Sequence, residues 1–169
     1  MPKNAARDAV VAPAIREFLS CFTPDFFLPN LQATTRDAAL VEMLDPLVSA
    51  GGVRDRELLL DMLLRREGLG STGIGKGVAV PHGRSLAVRE LAIVVGRSVE
   101  GIAFEAIDGK PVHHVFLIVA PPQDAESRYL RVLGRLVDLV KDAASRKRLM
   151  KAETFDEFVT CVEAHRFEG

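Results

Sequence analysis

Helical periodicity at both ends and β-like runs between them restrict this chain more than any other feature of its sequence. Residues 78–80, 91–95, 102–104 and 112–120 are rich in Val and Ile and bounded by Gly, Asp and Pro, as strands are. Asp108-Gly109 marks a turn before the longest run, and Pro121-Pro122 ends it. Upstream, Val11, Ile15, Phe18, Leu19 and Phe22 form a helical stripe over 5–22, with Pro13 near its start or kinking it. Thr34 with Asp37 resembles a capping box before a helix whose apolar face is Leu40, Leu44, Leu47 and Val48, and Pro46 should bend that helix or end it early. Gly51-Gly52 stops it; Asp55 caps the next, which turns Leu59, Met62 and Leu63 inward and ends near Gly68. Downstream, Asp124 caps a helix with Leu130, Leu133, Leu136, Val137 and Val140 on its inner face. A further helical piece covers 143–150, and Thr154 with Glu157 caps a last helix that buries Phe155, Phe158, Val159 and Val162. With no long linker and no repeat, this order predicts one compact α/β domain.

Composition narrows the function classes. A chain of 169 residues with net charge −1 and no basic block offers no nucleic-acid or membrane surface. Arg7, Asp8, Arg16 and Glu17 interrupt the N-terminal segment, which is therefore neither a signal peptide nor a membrane span. Cys21 and Cys161 lie far apart and fit neither a disulfide framework nor a metal pair, so reduced thiols in a cytoplasmic protein are expected. No His/Cys/Asp cluster has metal-ligand spacing.

The chemistry concentrates between Arg66 and Arg84. Gly68, Gly70, Gly73, Gly75 and Gly77 precede a short apolar run that ends in Pro81-His82-Gly83. Pro81 fixes its own backbone and Gly83 leaves the far side of His82 bare, which suits a nucleophile that must meet a bulky anion. Arg66, Ser71 and Thr72 lie just upstream, so that a cation and two hydroxyls can converge on the same place. The spacing alone is equally that of a glycine-rich turn with an exposed histidine, and Arg65 and Arg66 equally suit the C-terminal end of a helix.

The run Arg-Glu-x-Leu-Gly-Ser-Thr-Gly-Ile-Gly-x-Gly-Val-Ala-x-Pro-His-Gly resembles the active-site signature of the enzyme IIA domains of the bacterial phosphoenolpyruvate-dependent sugar phosphotransferase system. The similar branch is the fructose/mannitol type, which includes the nitrogen-regulatory IIA proteins. The likeness continues through Asp108-Gly-Lys-Pro-Val112, the strand ending Ala120-Pro121 and the terminal helices, over residues 24–164. It leaves 1–23 as a helical extension and 165–169 as a tail. The resemblance implies a mixed central β-sheet covered by helices on both faces. It also implies that His82 takes a phosphoryl group from the phosphohistidine of an HPr-like carrier and passes it to a cysteine of a IIB component. Phosphoryl transfer is mostly positioning and charge stabilisation, and the donor is a reactive phosphoramidate, so no metal or cofactor is expected. By the same resemblance Arg66 is the charged phosphate donor, Ser71 and Thr72 are hydroxyl donors, and the backbone at Gly73 and Gly83 can assist.

The chain departs from the family at one point. Many members carry a second histidine at the start of the helix after the long strand; here Tyr129 occupies that position, in Glu126-Ser-Arg-Tyr-Leu-Arg-Val-Leu133. Tyrosine donates a hydrogen bond but cannot become cationic, so weaker charge stabilisation or slower transfer is expected. Arg128 is a nearby substitute cation, although adjacent helix positions face different ways. His113 and His114 are consecutive on a strand, should face opposite sides, and are not expected to share a pocket. His165, near the C-terminus, is expected to be solvated.

Two classes of function follow. One is a phosphocarrier in sugar uptake, passing phosphate to IIB. The other is a regulatory module whose partner binding changes when about two negative charges are added to its surface. Tyr129, and a sequence without a IIB, IIC or HPr segment, favour regulation by a target protein. A degenerate module that binds partners without phosphorylation is a third reading, opposed by the intact Arg66, Ser-Thr-Gly and Pro-His-Gly elements. The sugar, the regulatory partner and the oligomeric state are not encoded in any readable motif.

Overall fold

A computed structural model describes residues 12–123 and 127–168. The chain order is α1 (Pro13–Leu19), a 3-10 turn (Pro24–Phe26), β1 (Phe27–Leu28), α2 (Arg36–Ser49), α3 (Arg56–Leu69), β2 (Gly73–Gly75), β3 (Val78–Ala79), β4 (His82–Arg84), β5 (Ala92–Ile102), β6 (Val112–Ala120), α4 (Arg128–Lys141), α5 (Ala143–Lys151) and α6 (Phe155–Ala164). The sheet runs β1-β5-β6-β3-β2, with β4 also paired to β6. Parallel pairs (β1 with β5, β3 and β4 with β6) mix with antiparallel ones (β5 with β6, β2 with β3).

β6 explains why its sequence is an almost unbroken apolar run. Phe116, Ile118 and Ala120 point into one core, with Val132 and Leu136 of α4, Leu149 of α5 and Phe158 of α6. Val115, Leu117 and Val119 point into the other, with Leu40 and Leu44 of α2 and Leu59 and Leu63 of α3. A strand covered on both faces loses the polar alternation of a half-exposed one. The expected mixed sheet with helices on both sides is therefore the one formed. Among the described residues no helix is long and apolar enough to cross a membrane.

Several boundaries differ from the sequence reading. The stripe around Phe18 and Phe22 is helical from Pro13, at the first helical turn where a missing N–H costs nothing, and residues before 12 lie outside the described part. Phe18 packs edge-on against Phe22, and Phe22 lies tilted against Phe158, so this segment closes one core of the domain. The α2 cap is Thr35, whose Oγ1 accepts from the Ala38 amide at 3.3 Å, while the Thr34 carbonyl accepts from the Ala103 amide. Pro46 does not end α2, because it lies in the last turn and the helix runs on only to Ser49. Asp55 and Thr154 cap as expected, accepting from Leu58 and Glu157. The two short runs at 91–95 and 102–104 belong largely to one strand, β5, with a register shift between Arg97 and Ile102. The cap read at Asp124 lies outside the described residues. In α4 the inner face is Tyr129, Val132, Leu136, Leu139 and Val140; Leu130 and Val137 face solvent at 57% and 40% exposure. Charged and apolar residues occupy opposite halves of that helix, and Leu130 and Val137 fall at one edge of the apolar half.

His165 is not solvated. Its side chain is 7% exposed and sits between α4 and α5: Nε2 lies 3.3 Å from an Asp138 carboxylate oxygen and Nδ1 2.8 Å from Ser145 Oγ. The chain after α6 folds back over the α4–α5 junction, and Phe167 packs edge-on against the imidazole.

Candidate functional site

The site is assembled where α3 ends and the β2–β3 hairpin returns the chain to the edge of β6. Arg66 lies in the last turn of α3, and its Nη1 donates to the Gly70 carbonyl at 2.9 Å, closing the helix terminus. The neighbouring Glu67 turns inward and is 3% exposed. Its carboxylate accepts the Thr72 amide at 3.0 Å and the Thr72 hydroxyl in a short bond. The Thr72 hydroxyl proton is thus committed to Glu67. Ser71 Oγ instead accepts the Gly73 amide at 3.0 Å and keeps its own proton to give. Sequence reasoning passed over Glu67; its place beside Arg66 in the motif was the only available signal.

Glycine is required at Gly73 by close approach: a Cβ there would stand 2.7 Å from the Ala106 Cα. The hairpin turns on Lys76 and Gly77, both at positive φ (57° and 79°), as a two-residue turn of this hand demands. β3 and β4 then form one interrupted strand along β6: Val78 pairs with His114, and His82 with Ile118. Between them, the Pro81 carbonyl accepts the Ile118 amide at 3.0 Å.

Alternation along β4 sorts its side chains. Gly83 backs onto α3, where a Cβ would come within 2.6 Å of Met62 Sδ. His82 and Arg84 turn to the opposite face, toward α4. The His82 and Tyr129 ring centroids are 6.3 Å apart, and the Arg84 guanidinium carbon lies 4.9 Å from the centre of the Tyr129 ring. Burial pushes the Tyr129 phenol above its ordinary pKa, opposed by the nearby charges of Arg84 and Arg66, so it remains a neutral O–H at physiological pH. Arg84, two residues beyond His82, joins the site, a role that period-2 spacing from His82 would have suggested. Arg128 does not: its Nη2 reaches Cys21 Sγ at 3.4 Å.

His82 is half-buried, and its Nδ1 sits 2.6 Å from the Val80 carbonyl oxygen. A carbonyl only accepts, so Nδ1 carries the proton and Nε2 keeps its lone pair. A nucleophilic ring nitrogen, with a phenol and the Arg84 guanidinium on its face and the Arg66 charge felt at that phenol, is equipped to take and hold an anionic electrophile. Among the described residues no group of three or more His, Cys, Asp or Glu side chains is placed to hold a metal ion.

Residues 20–165 match the model of the family described as "Phosphoenolpyruvate-dependent sugar phosphotransferase system, EIIA 2". The chain belongs to this family. It is 38% identical over 120 residues to a fructose-specific EIIA component of Haloferax volcanii, covering 71% of this chain and 77% of that protein. It is 35% identical over 126 residues to a nitrogen regulatory protein of Bradyrhizobium diazoefficiens, covering 75% of this chain and 81% of that one. A fructose-specific EIIABC component of Bacillus subtilis is 36% identical over 136 residues, and there the EIIA-like match spans only 21% of the relative's length. Among solved structures, the nitrogen regulatory protein IIA-Ntr of Neisseria meningitidis superposes with a TM-score of 0.73 at 27% identity, covering 85% of this chain and 97% of that one. The mannitol IIA of Escherichia coli has the same fold, at a TM-score of 0.69 and 24% identity over 83% of this IIA-family chain and 98% of that one.

Proposed function

We propose that this IIA-family protein is a phosphoryl acceptor, phosphorylated on His82 Nε2 by the phosphohistidine of an HPr-like carrier in the cytoplasm, with a regulatory output of the nitrogen-regulatory kind. The observation that carries this reading is the Val80 carbonyl held against His82 Nδ1. It fixes the tautomer and presents Nε2 without the need for a general base.

In the transfer step the Nε2 lone pair forms the new P–N bond while the donor's P–N bond breaks and its electron pair returns to the donor imidazole. The His82 ring gains positive charge, and its Nδ1–H bond to Val80 becomes charge-assisted. Arg66 spends one of its five N–H groups on Gly70, which leaves four for the phosphoryl oxygens. One such contact is worth about 1.5–3 kcal/mol, or roughly one to two orders of magnitude in the population of the phosphorylated form. Ser71 supplies a hydroxyl donor, Tyr129 a second, and Arg84 a further cation. Thr72 acts through Glu67 by anchoring the loop, and Gly83 by letting β4 lie against Met62.

Tyr129 favours the regulatory output, since it stands where many similar sequences carry a second histidine and cannot become cationic as an imidazole can. The Haloferax relative favours a second reading, a sugar-uptake IIA that passes phosphate to a IIB cysteine. In that reaction a thiolate attacks phosphorus and Nε2 leaves with its electron pair. The fold is also that of the Escherichia coli mannitol IIA solved in complex with phosphorylated IIB, at 23% identity.

The test is intact mass after incubation with phosphoenolpyruvate, enzyme I and HPr. An acid-labile gain of one phosphate in wild type and none in His82→Ala is expected. No phosphate in wild type beside a working control would leave a binding module only. Transfer from the phosphorylated protein to a IIB cysteine would then decide for uptake over regulation.

A further inference from the structure

The C-terminal ends of α1 and α2 meet the first residues of β5 and α4 around a cavity of about 270 Å³. We propose that it binds a small apolar amino acid, with the ligand carboxylate on Arg128, its ammonium toward Glu90 and its side chain against the core residues of the floor.

Arg128 is half-buried and lines the cavity. Among the described residues its guanidinium makes one hydrogen bond, from Nη2 to Cys21 Sγ at 3.4 Å. A thiol is a weak acceptor, whereas a partly desolvated guanidinium gains most from a carboxylate that it can grip with two N–H groups. No described carboxylate takes that place. Glu17, which feels the Arg128 charge, is engaged by Arg131 at 2.8 Å.

Glu90 lines the same cavity and forms no ion pair with Arg128 or with any other described residue. Two opposite charges that border one cavity without closing on each other frame a ligand that carries both signs. One cation against one carboxylate also leaves the lining without net charge, which favours a zwitterion over a phosphate or a dicarboxylate.

The rest of the lining selects for an apolar body. Val53, Val88 and Val119 form the floor and continue the core beneath α2, and Leu91 adds a wall. Apolar walls with a few convergent polar groups are how small-molecule sites are built. The volume, about 270 Å³, falls just short of the roughly 300–1,000 Å³ of common ligand sites, so the occupant is small, of about the size of leucine. Arg128 is followed in α4 by Tyr129, whose ring lies beside His82. The two sites share one turn of helix but use different residues, so the cavity can be tested apart from phosphoryl transfer.

The test is a titration of the 15N-labelled protein with L-leucine, isocaproate and isoamylamine at one pH and ionic strength. Saturable shifts of the Cys21, Leu91 and Ala92 amides are expected with leucine, and binding at least about tenfold weaker for the acid and the amine, each of which lacks one charge-assisted contact. Arg128→Gln should weaken leucine at least about tenfold and Glu90→Gln a few-fold. Ala92→Leu, which fills the cavity and keeps both charges, should abolish binding, while His82→Ala leaves it unchanged. Shifts that do not saturate, leucine affinity that survives in both Arg128→Gln and Ala92→Leu, or isocaproate binding as tightly as leucine would overturn the proposal.

Discussion

One part of the acid destabilisation of this protein should come from His114, and its size follows from the burial of that residue. Its imidazole is 5% exposed, stacks on Phe116, and leaves Nε2 without a partner. Burial pushes its pKa down from 6.5 to about 4, opposed by the Leu149 carbonyl and reinforced by the charges of His113 and Arg97. The unfolded chain therefore takes up a proton near pH 6.5, while the folded protein resists until about pH 4. Between those values the unfolded state binds more protons, so stability rises with pH. The contribution is complete above pH 6.5, declines as pH falls, and changes no further below pH 4. At about 1.36 kcal/mol per pH unit the whole window is worth roughly 3 kcal/mol, of which about 2 kcal/mol is lost by pH 5. Other groups titrate over the same range, so the comparison must be with His114→Phe, which keeps a ring of similar shape and cannot take a proton. Urea unfolding in phosphate-free buffer at pH 8 and pH 5 should show wild type losing about 2 kcal/mol more than the variant. At pH 8 the variant loses both the contact with the Leu149 carbonyl and the buried unpaired nitrogen, so the readout is the difference between the two pH values. Parallel losses in the two proteins would refute the reasoning.

Three further outcomes are expected. Glu67→Gln should release the Thr72 loop and cost about 1.5–3 kcal/mol of stability, read by urea unfolding, with slower phosphorylation of His82 in the mass assay. Gly73→Ala should destabilise by about 1–3 kcal/mol because a Cβ meets the Ala106 backbone, whereas Gly134→Ala, on the exposed side of α4 with nothing within 4 Å, should stabilise by about 1 kcal/mol; thermal melts that rank the two alike would contradict this. Tyr129→His should lengthen the lifetime of phosphorylated His82 roughly tenfold by offering a charge-assisted donor, and Tyr129→Phe should shorten it; lifetimes unchanged in both would remove Tyr129 from the phosphate's surroundings.

The sequence by itself determined the elements whose causes are local. Asp55 and Thr154 cap their helices because an N-cap oxygen needs only the amide three residues on. The Val- and Ile-rich run over Val112–Ala120, bounded by Asp-Gly and Pro-Pro, was legible as a strand. The Arg66–Arg84 motif pointed to His82, through glycines that the hairpin and the contact with Ala106 require. The tertiary structure decided what depends on partners distant in the chain. The rotation of α4, and with it the exposure of Leu130 and the burial of Tyr129, was chosen by the surface of β6. The meeting of Tyr129, Arg84 and His82 required α4 to lie across β4, which no local pattern encodes. His165 became a buried link between α4 and α5, and Thr72 gave its hydroxyl to Glu67, because side chains in the fold compete for the same donors and acceptors. Local geometry is written in spacing, whereas the pairing of polar groups depends on which of them the packing brings within 3 Å.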